Sequence, residues 1–339
     1  MSIEAEMRDL ESKIEELKKF SKEQKIDFSK QIEELEEVLK EKIKEYSKTE
    51  IDAWGRTQIS RNPKRPYTMD YIERIADDFV ELHGDRLSKD DHAIVGGLAS
   101  IDGNGIMIIG HQKGRDMEAN IYRNFGMASP EGYRKALRLM RMAERFEVPI
   151  LTFIDTSGAY PGLEAEEKGQ AEAIAKNLAE MFGLKVPVIA VVIGEGGSGG
   201  ALGIGVADSV LMMENSIYSV ISPEGCASIL FKDSKKAPEA ARSLRIDAFS
   251  LKSLGVIDGI IKEPIGGAHR DYDETAKNLK NAVVKEFRKL EKIEIENYLK
   301  DLLDILTIVG SNSTGKPAGR AEVLGEVRRA LIIRKLCIL

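Results

Sequence analysis

With 339 residues, 42% of them hydrophobic, the chain is long enough for one large domain with appendages or for two domains, and it can bury a substantial core. Its 50 Lys and Arg against 56 Asp and Glu leave a net charge of −6, which argues against a general nucleic-acid binder. The two cysteines, Cys226 and Cys337, lie far apart and form no CxxC pair, so neither a zinc ribbon nor a disulfide framework is expected. The start, MSIEAEMRDL, is acidic without an apolar signal core, and no apolar run approaches the roughly 18 residues of a membrane span. The expected setting is a reducing cytoplasm.

Residues 1–50 differ from the rest. Ile3, Met7, Leu10, Ile14 and Leu17 follow a helical seam, and after a polar break near Lys25–Ser29 the residues Ile32, Leu35, Leu39, Ile43 and Tyr46 resume one. The spacing predicts a helical hairpin lying on the main body or on a partner. Asn62-Pro63 and Arg65-Pro66 then punctuate the chain, and Tyr71–Leu82 reads as helix. Ala93–Ile101 and Ile106–Gly110 read as a hairpin joined through Asp102-Gly103-Asn104-Gly105. Glu131–Glu147 reads as helix with Tyr133, Leu137, Met140 and Ala143 on one face.

Two strand–loop–helix units follow. Pro149–Ile154 leads through Asp155–Gly162 to a helix near Glu164–Phe182. Pro187–Ile193 leads through Gly194-Glu195-Gly196-Gly197-Ser198-Gly199-Gly200 to a small-residue helix Ala201–Ala207, and Asp208–Met213 returns as a strand. Buried strands alternating with helices argue for an α/β fold. From Asp271 the pattern is helical and charged, through Tyr298 and Leu302. The tail after Gly310 nearly spells a P-loop, but Pro317 replaces the Ser or Thr that would bind Mg²⁺, so the match is coincidence.

The glycine-dense stretch Gly194–Gly205 is the sharpest chemical signal, because a helix interior loses about 1 kcal/mol per glycine. Glycines between a strand and a helix let backbone N–H groups approach a ligand at the positive end of the helix dipole. Three readings compete. Gly194–Gly199 matches G-x-G-x-x-G, with Glu214 near the place of a ribose-binding acid. Ser198 as a nucleophile needs a base from His83, His92, His111 or His269. The third reading is an oxyanion hole made by this turn with Gly158-Ala159 as its other half.

Arg134, Arg138, Arg141 and Arg145 form one helical stripe, which suits attraction of CoA phosphates or of an acidic carrier or partner surface, or else pairing with local acids such as Glu144. Asp155, at a strand end, reads as a loop-capping residue, Cys226 as a small buried filler, and His111 and His269 carry no catalytic assignment.

Several segments together resemble the carboxyltransferase alpha subunit of bacterial acetyl-CoA carboxylase. They are Arg65–Thr68, Asp78–Arg86, Gly110–Arg115, Asn124–Met127, Pro130–Ala136, Asp155-Thr156 with Gly158–Gly162, Gly194–Gly200, Ser222–Ser228 and Gly266–Arg270. The likeness is collinear from about residue 1 to about 300. It implies a crotonase-like fold of ββα units behind the N-terminal α-helical hairpin, divided as a hairpin over 1–50, a transferase body over 51–300 and an atypical tail over 301–339. It also implies transfer of a carboxyl group from carboxybiotin on the biotin carboxyl carrier protein to acetyl-CoA, giving malonyl-CoA for fatty acid biosynthesis. The implied partners are a zinc-ribbon beta subunit in an α2β2 assembly, the carrier protein and biotin carboxylase, with no metal in this chain.

The family's pattern places the biotin-side oxyanion at the amides of Gly199 and Gly200, with Gly158 and Ala159 opposite. Gly196, Gly197, Ser198 and Tyr160 then border the carboxybiotin. Ser157 stands where many relatives have proline, which changes loop stiffness but not these amides. The reaction needs pre-aimed donors more than side-chain acids and bases, so a chain with 4 histidines is no obstacle. The rivals are another crotonase-fold acyl-CoA enzyme and a non-catalytic scaffold.

Overall fold

The computed structural model describes residues 3–24, 27–46 and 51–292. The expectations for the tail, with the near P-loop and Cys337, fall outside these residues. Helices α1 (Ile3–Gln24) and α2 (Ser29–Tyr46) run antiparallel, with ion pairs Lys18–Glu36 at 2.7 Å and Lys42–Glu6 at 2.9 Å. The seam buries Met7 and Ile14. Met7 packs on Ile59 of α3 (Ala53–Ser60), so the hairpin lies on the body of its own chain.

The next segment departs from the expected single helix over Tyr71–Leu82. Helix α4 (Thr68–Ile75) stops at Ala76, and β1 (Asp78–Glu81) adds an antiparallel edge to β2 (Ile94–Ile101). Tertiary pairing wins here over local propensity. β2 and β3 (Asn104–His111) form the expected hairpin, and the turn residues Asp102 and Gly103 both have positive φ, 51° and 76°. That is the backbone a two-residue hairpin turn needs. Helix α5 (Met117–Tyr122) precedes α6 (Pro130–Arg145).

β4 (Ile150–Thr156), β5 (Val188–Gly197) and β6 (Ser209–Met213) follow, with helices between them. The expected Glu164–Phe182 helix is broken into α7 (Leu163–Glu167) and α8 (Gln170–Met181) by Gly169 at φ 80°. The helix expected over Ala201–Ala207 is α9 (Ser198–Leu202), which starts earlier and ends at Gly203. β7 (Ile217–Ser219), α10 (Pro223–Phe231), α11 (Ala237–Leu244), α12 (Ala248–Ser253), β8 (Gly259–Ile261) and α13 (Tyr272–Lys292) complete the described chain.

All the described strands join one sheet in the order β1-β2-β3-β4-β5-β6-β8, with β7 paired to the end of β5. The first three strands are antiparallel and the rest parallel. Alternate residues face opposite layers. Ile109, Ile150, Ile154 and Val192 meet Tyr133, Leu139 and Met140 of α6, whereas Ile108, Leu151, Phe153 and Val191 meet Tyr71 of α4 and Leu279 of α13. Both faces are therefore covered, which is why β4 and β5 read as continuous apolar runs. Each fully buried side chain of this size stabilises by about 1.5–3 kcal/mol.

Candidate functional site

β4 and β5 are parallel neighbours, so their C-terminal ends deliver two loops to one place. Their register shifts after Ile154, and pairing resumes at Thr156↔Gly196. The end of β5 also pairs with β7, Glu195 to Ile217 and Gly197 to Ser219. The chain then turns into α9 through Ser198, whose φ of 49° lies in the left-handed region.

Two glycines are dictated by close backbone approach. A Cβ on Gly197 would lie 2.2 Å from the Ser157 carbonyl oxygen, and one on Gly200 would lie 2.4 Å from the Gly158 carbonyl carbon and 2.5 Å from the Ala159 nitrogen. The Gly158-Ala159 loop and the first turn of α9 are thus in direct backbone contact. Gly196 is a buried strand residue under the Tyr218 ring. Above Gly158 there is open space, and a Cβ on Gly199 would meet only Ile174, at 3.7 Å.

The 158–162 loop is pinned from below. Gln170, on the first turn of α8, donates from Nε2 to the Ala128 and Tyr160 carbonyls at 2.8 and 3.0 Å. The Tyr160 amide donates to Ala128 O at 3.0 Å, and the Gly158 amide donates to Thr156 Oγ1 at 3.2 Å. The Ala159 amide has no partner among the described residues. The first N–H groups of α9, those of Ser198, Gly199 and Gly200, have no acceptor inside the helix, and none is supplied by a capping side chain. The sequence-predicted residues therefore do come together. Gly199, Gly200 and Ala159 offer unpartnered amides, Gly196 and Gly197 are packing positions, and Ser198 is exposed at the turn.

A charged frame holds the start of the turn. Asp155 pairs with Lys113 at 2.6 Å and accepts the Glu195 amide at 3.0 Å. Arg61, at the end of α3, pairs with Glu195 at 2.7 Å and Glu224 at 2.5 Å. Burial works against the Lys113 charge, but Asp155 and Glu195 outweigh it and raise its pKa. Asp155 thus anchors the neighbouring strand's turn as well as ending its own. The sequence carries no local sign of this, because Lys113 lies 42 residues away.

Sequence reasoning passed over the layer beneath the turn. Asn177 donates to the carbonyls of Tyr133 and Gly203 at 3.0 and 2.8 Å, and Tyr133 Oη donates to Gly200 O at 3.3 Å. His111 is fully buried there. One signal was readable: Asn177 is a polar residue on the face of α8 that buries Ala173 and Met181.

Competing readings lose their support. Glu214 pairs with Lys262 at 2.9 Å and accepts the Glu263 amide, and the helix after the turn has only 5 residues, too little for a dinucleotide fold. No hydrogen bond joins Ser198 to a histidine among the described residues. Along the arginine stripe, Arg134 pairs with Asp85 at 2.9 Å, Arg138 binds the Gly84 carbonyl at 3.1 Å and Arg141 pairs with Glu180 at 2.6 Å, so three of its members serve this chain. Cys226 is buried beside Ala227 and Ala240. Among the described residues no cluster is placed to hold a metal ion, and no helix is long and apolar enough to cross a membrane. A crevice of about 380 Å³ lies elsewhere, where α1 meets Ile59, Arg61, Lys64 and Arg270. Its cations are already paired, Lys64 with Glu15 and Arg270 with Glu11, so it offers no comparable chemistry.

The mixed sheet, with its two glycine-bearing loops at the ends of β4 and β5, has the crotonase-like fold. Solved structures share it at low sequence identity. The 12S transcarboxylase with bound methylmalonyl-coenzyme A is 17% identical with a TM-score of 0.56, covering 81% of this chain and 47% of its own. The beta subunit of geranyl-CoA carboxylase from P. aeruginosa is 19% identical with a TM-score of 0.50, covering 67% and 42%. The chain thus spans a little under half the length of these two.

The family model described as acetyl co-enzyme A carboxylase carboxyltransferase-like matches residues 1–309, and the chain belongs to that family. The acetyl-coenzyme A carboxylase carboxyl transferase subunit alpha of Fusobacterium nucleatum is 58% identical over 300 residues, 88% of this chain and 96% of the relative. That of Geobacter metallireducens is 53% identical over 300 residues, 88% of this chain and 94% of the relative.

Proposed function

We propose that this chain is the alpha subunit of a two-component carboxyltransferase that moves a carboxyl group from carboxybiotin, on a biotin carrier protein, to acetyl-CoA. The product is malonyl-CoA, made in the cytoplasm as the building unit for fatty acid synthesis. The C–N bond to the carboxyl group breaks, a C–C bond forms at the thioester methyl, and the methyl proton passes to the freed ureido nitrogen. Negative charge gathers on the ureido oxygen and on the thioester oxygen, and each needs donors fixed before the reaction.

The observation that carries this reading is the contact between Gly200 and the Gly158-Ala159 peptide, which brings the first turn of α9 against the opposite loop. Gly199 and Gly200 serve as donors to the ureido oxygen, on the positive end of α9. Ala159 lies opposite as the third donor. Gly158 contributes space rather than an amide, since its N–H already reaches Thr156. Gly196 and Gly197 keep the turn tight, and Ser198 and Tyr160 border the opening. The space a side chain would take is open at Gly158, and at Gly199 it is bordered by Ile174 at 3.7 Å.

A beta subunit bearing a zinc ribbon supplies most of the acyl-CoA side in an α2β2 assembly, and biotin carboxylase recharges the carrier. Within this chain the proposed division is a hairpin over 1–50, a transferase body over 51–300 and a tail over 301–339.

The test is malonyl-CoA formation from acetyl-CoA and carboxylated carrier, with this chain alone, a cognate beta chain alone, and both mixed. Turnover is expected only in the mixture. Full turnover from this chain alone overturns the subunit division. A mixture that assembles but stays silent favours a scaffold or a different acyl-CoA. A Gly199→Leu variant that assembles normally is expected to lose turnover; if it keeps turnover, the amide assignment fails.

A further inference from the structure

The first turn of α9 has an irregularity with a specific remedy. The Gly203 amide bonds Gly199 O at 3.0 Å, and the Ile204 amide bonds Ala201 O at 3.3 Å. Neither of the backbone amides that a helix would aim at Gly200 O reaches it. A buried carbonyl without a partner costs about as much as a lost hydrogen bond.

A side chain from another element fills the gap. Tyr133, on α6 and fully buried, donates its hydroxyl to Gly200 O at 3.3 Å. His111, at the end of β3, is also fully buried. Neither of its ring nitrogens has a hydrogen-bond partner among the described residues. Burial, with Lys113 nearby, keeps this imidazole neutral, with its pKa lowered to about 3. It therefore carries one N–H and one lone pair at neutral pH. Asn177 completes the layer by tying Gly203 O at 2.8 Å to Tyr133 O at 3.0 Å. The Tyr133 ring also packs against Gly203, where a Cβ would come within 2.5 Å of the ring edge.

We propose that Tyr133 and Asn177 are positioning residues for carboxyl transfer: the Tyr133 hydroxyl at the Gly200 carbonyl and the Asn177 amide at the Gly203 carbonyl set the orientation of the α9 first turn and so aim the amides of Gly199 and Gly200. They touch no substrate and act through the backbone. The inference rests on the amide assignment made above, and it adds the residues that enforce it. A rigid donor array stabilises developing charge without reorganising, whereas a turn free to rock does not.

Tyr133→Phe removes one oxygen and leaves the ring in place. In the full chain assembled with its beta subunit, we expect kcat to fall about three- to tenfold, the range that one neutral hydrogen bond supplies. KM for acetyl-CoA should not change. Hydrogen exchange in the 198–205 segment should quicken in the same variant, measured on the full chain without any substrate.

Wild-type kcat together with wild-type exchange in Tyr133→Phe overturns the proposal. A loss of kcat without faster exchange overturns it as well, because the effect then lies elsewhere. Faster exchange with unchanged kcat denies the link to chemistry, and a Gly199→Leu variant then separates the two readings: if that variant is inactive, the amide assignment survives and only the positioning role is lost.

Discussion

Gly199 and Gly200 are neighbours in sequence, yet their surroundings demand opposite responses to the same change. A methyl on Gly200 must push the Gly158-Ala159 peptide away, because 2.4 Å is far inside carbon–carbon contact. A methyl on Gly199 meets a flexible Ile174 side chain at ordinary distance. Alanine is also the better helix former by about 1 kcal/mol. Gly200→Ala is therefore expected to lower the melting temperature and to cut turnover of the assembled enzyme by 100-fold or more, the scale of a lost oxyanion donor, estimated as roughly 10²–10³. Gly199→Ala should melt at or slightly above the wild-type temperature. Equal melting temperatures for the two variants would show that the loops do not touch as described. His111 gives a second test at this scale. An unfolded histidine takes up a proton near pH 6.5, whereas burial lowers the pKa of His111 to about 3 and that of His269 to about 4. Between those limits the unfolded chain binds more protons, so stability is full above about pH 6.5 and declines as pH falls toward the folded values. Urea midpoints followed from pH 7.5 to 4.5 should drop more steeply for wild type than for His111→Gln. Parallel curves would remove His111 from the account.

Elements that bury an uninterrupted pattern were legible from sequence. The hairpin of β2 and β3 announced itself through Asp102-Gly103, and α6 through its apolar stripe. The seam of α1 forecast a buried Met7 and Ile14. What escaped were elements defined by their neighbours. β1 is a 4-residue strand with no strong pattern of its own, and it exists because the edge of β2 offers hydrogen bonds and Gly97 lets it approach. The break between α7 and α8 turns on the backbone angle of Gly169 alone. The same division holds at the site. The glycine turn was visible because helices avoid glycine, and the pairing of its two loops followed from parallel strands. The supports were hidden for the opposite reason. Lys113, Tyr133 and Asn177 reach the turn from three separate parts of the chain, and a phenol or amide in a core position looks like any other until its acceptor is known.

At the scale of the whole molecule, one buried ion pair joins the two ends of the described body. Arg65, between α3 and α4, grips Glu263 through both Nη atoms at 2.9 and 2.7 Å and donates to Ile193 O at 2.9 Å. Glu263, just after β8, also accepts both Asn215 nitrogens at 3.0 Å and the Ala268 amide at 2.7 Å. The side chains are 2% and 0% exposed. Burial opposes both charges, but each partner overcomes it, so Arg65 is raised and Glu263 lowered from their ordinary pKa values. Ile193 immediately precedes the glycine turn, so this clamp fixes the base from which the turn springs. Such a pair is poor evidence of net stability, since dehydrating two charges offsets most of their attraction. Its signature is instead non-additivity. Arg65→Met or Glu263→Leu alone leaves a buried, unpaired charge and should cost about 3–5 kcal/mol in urea unfolding. The double variant should recover most of that loss, while the Asn215 and Ala268 donors that Glu263 served keep the recovery from being complete. Losses that simply add would mean that the two charges do not stabilise each other.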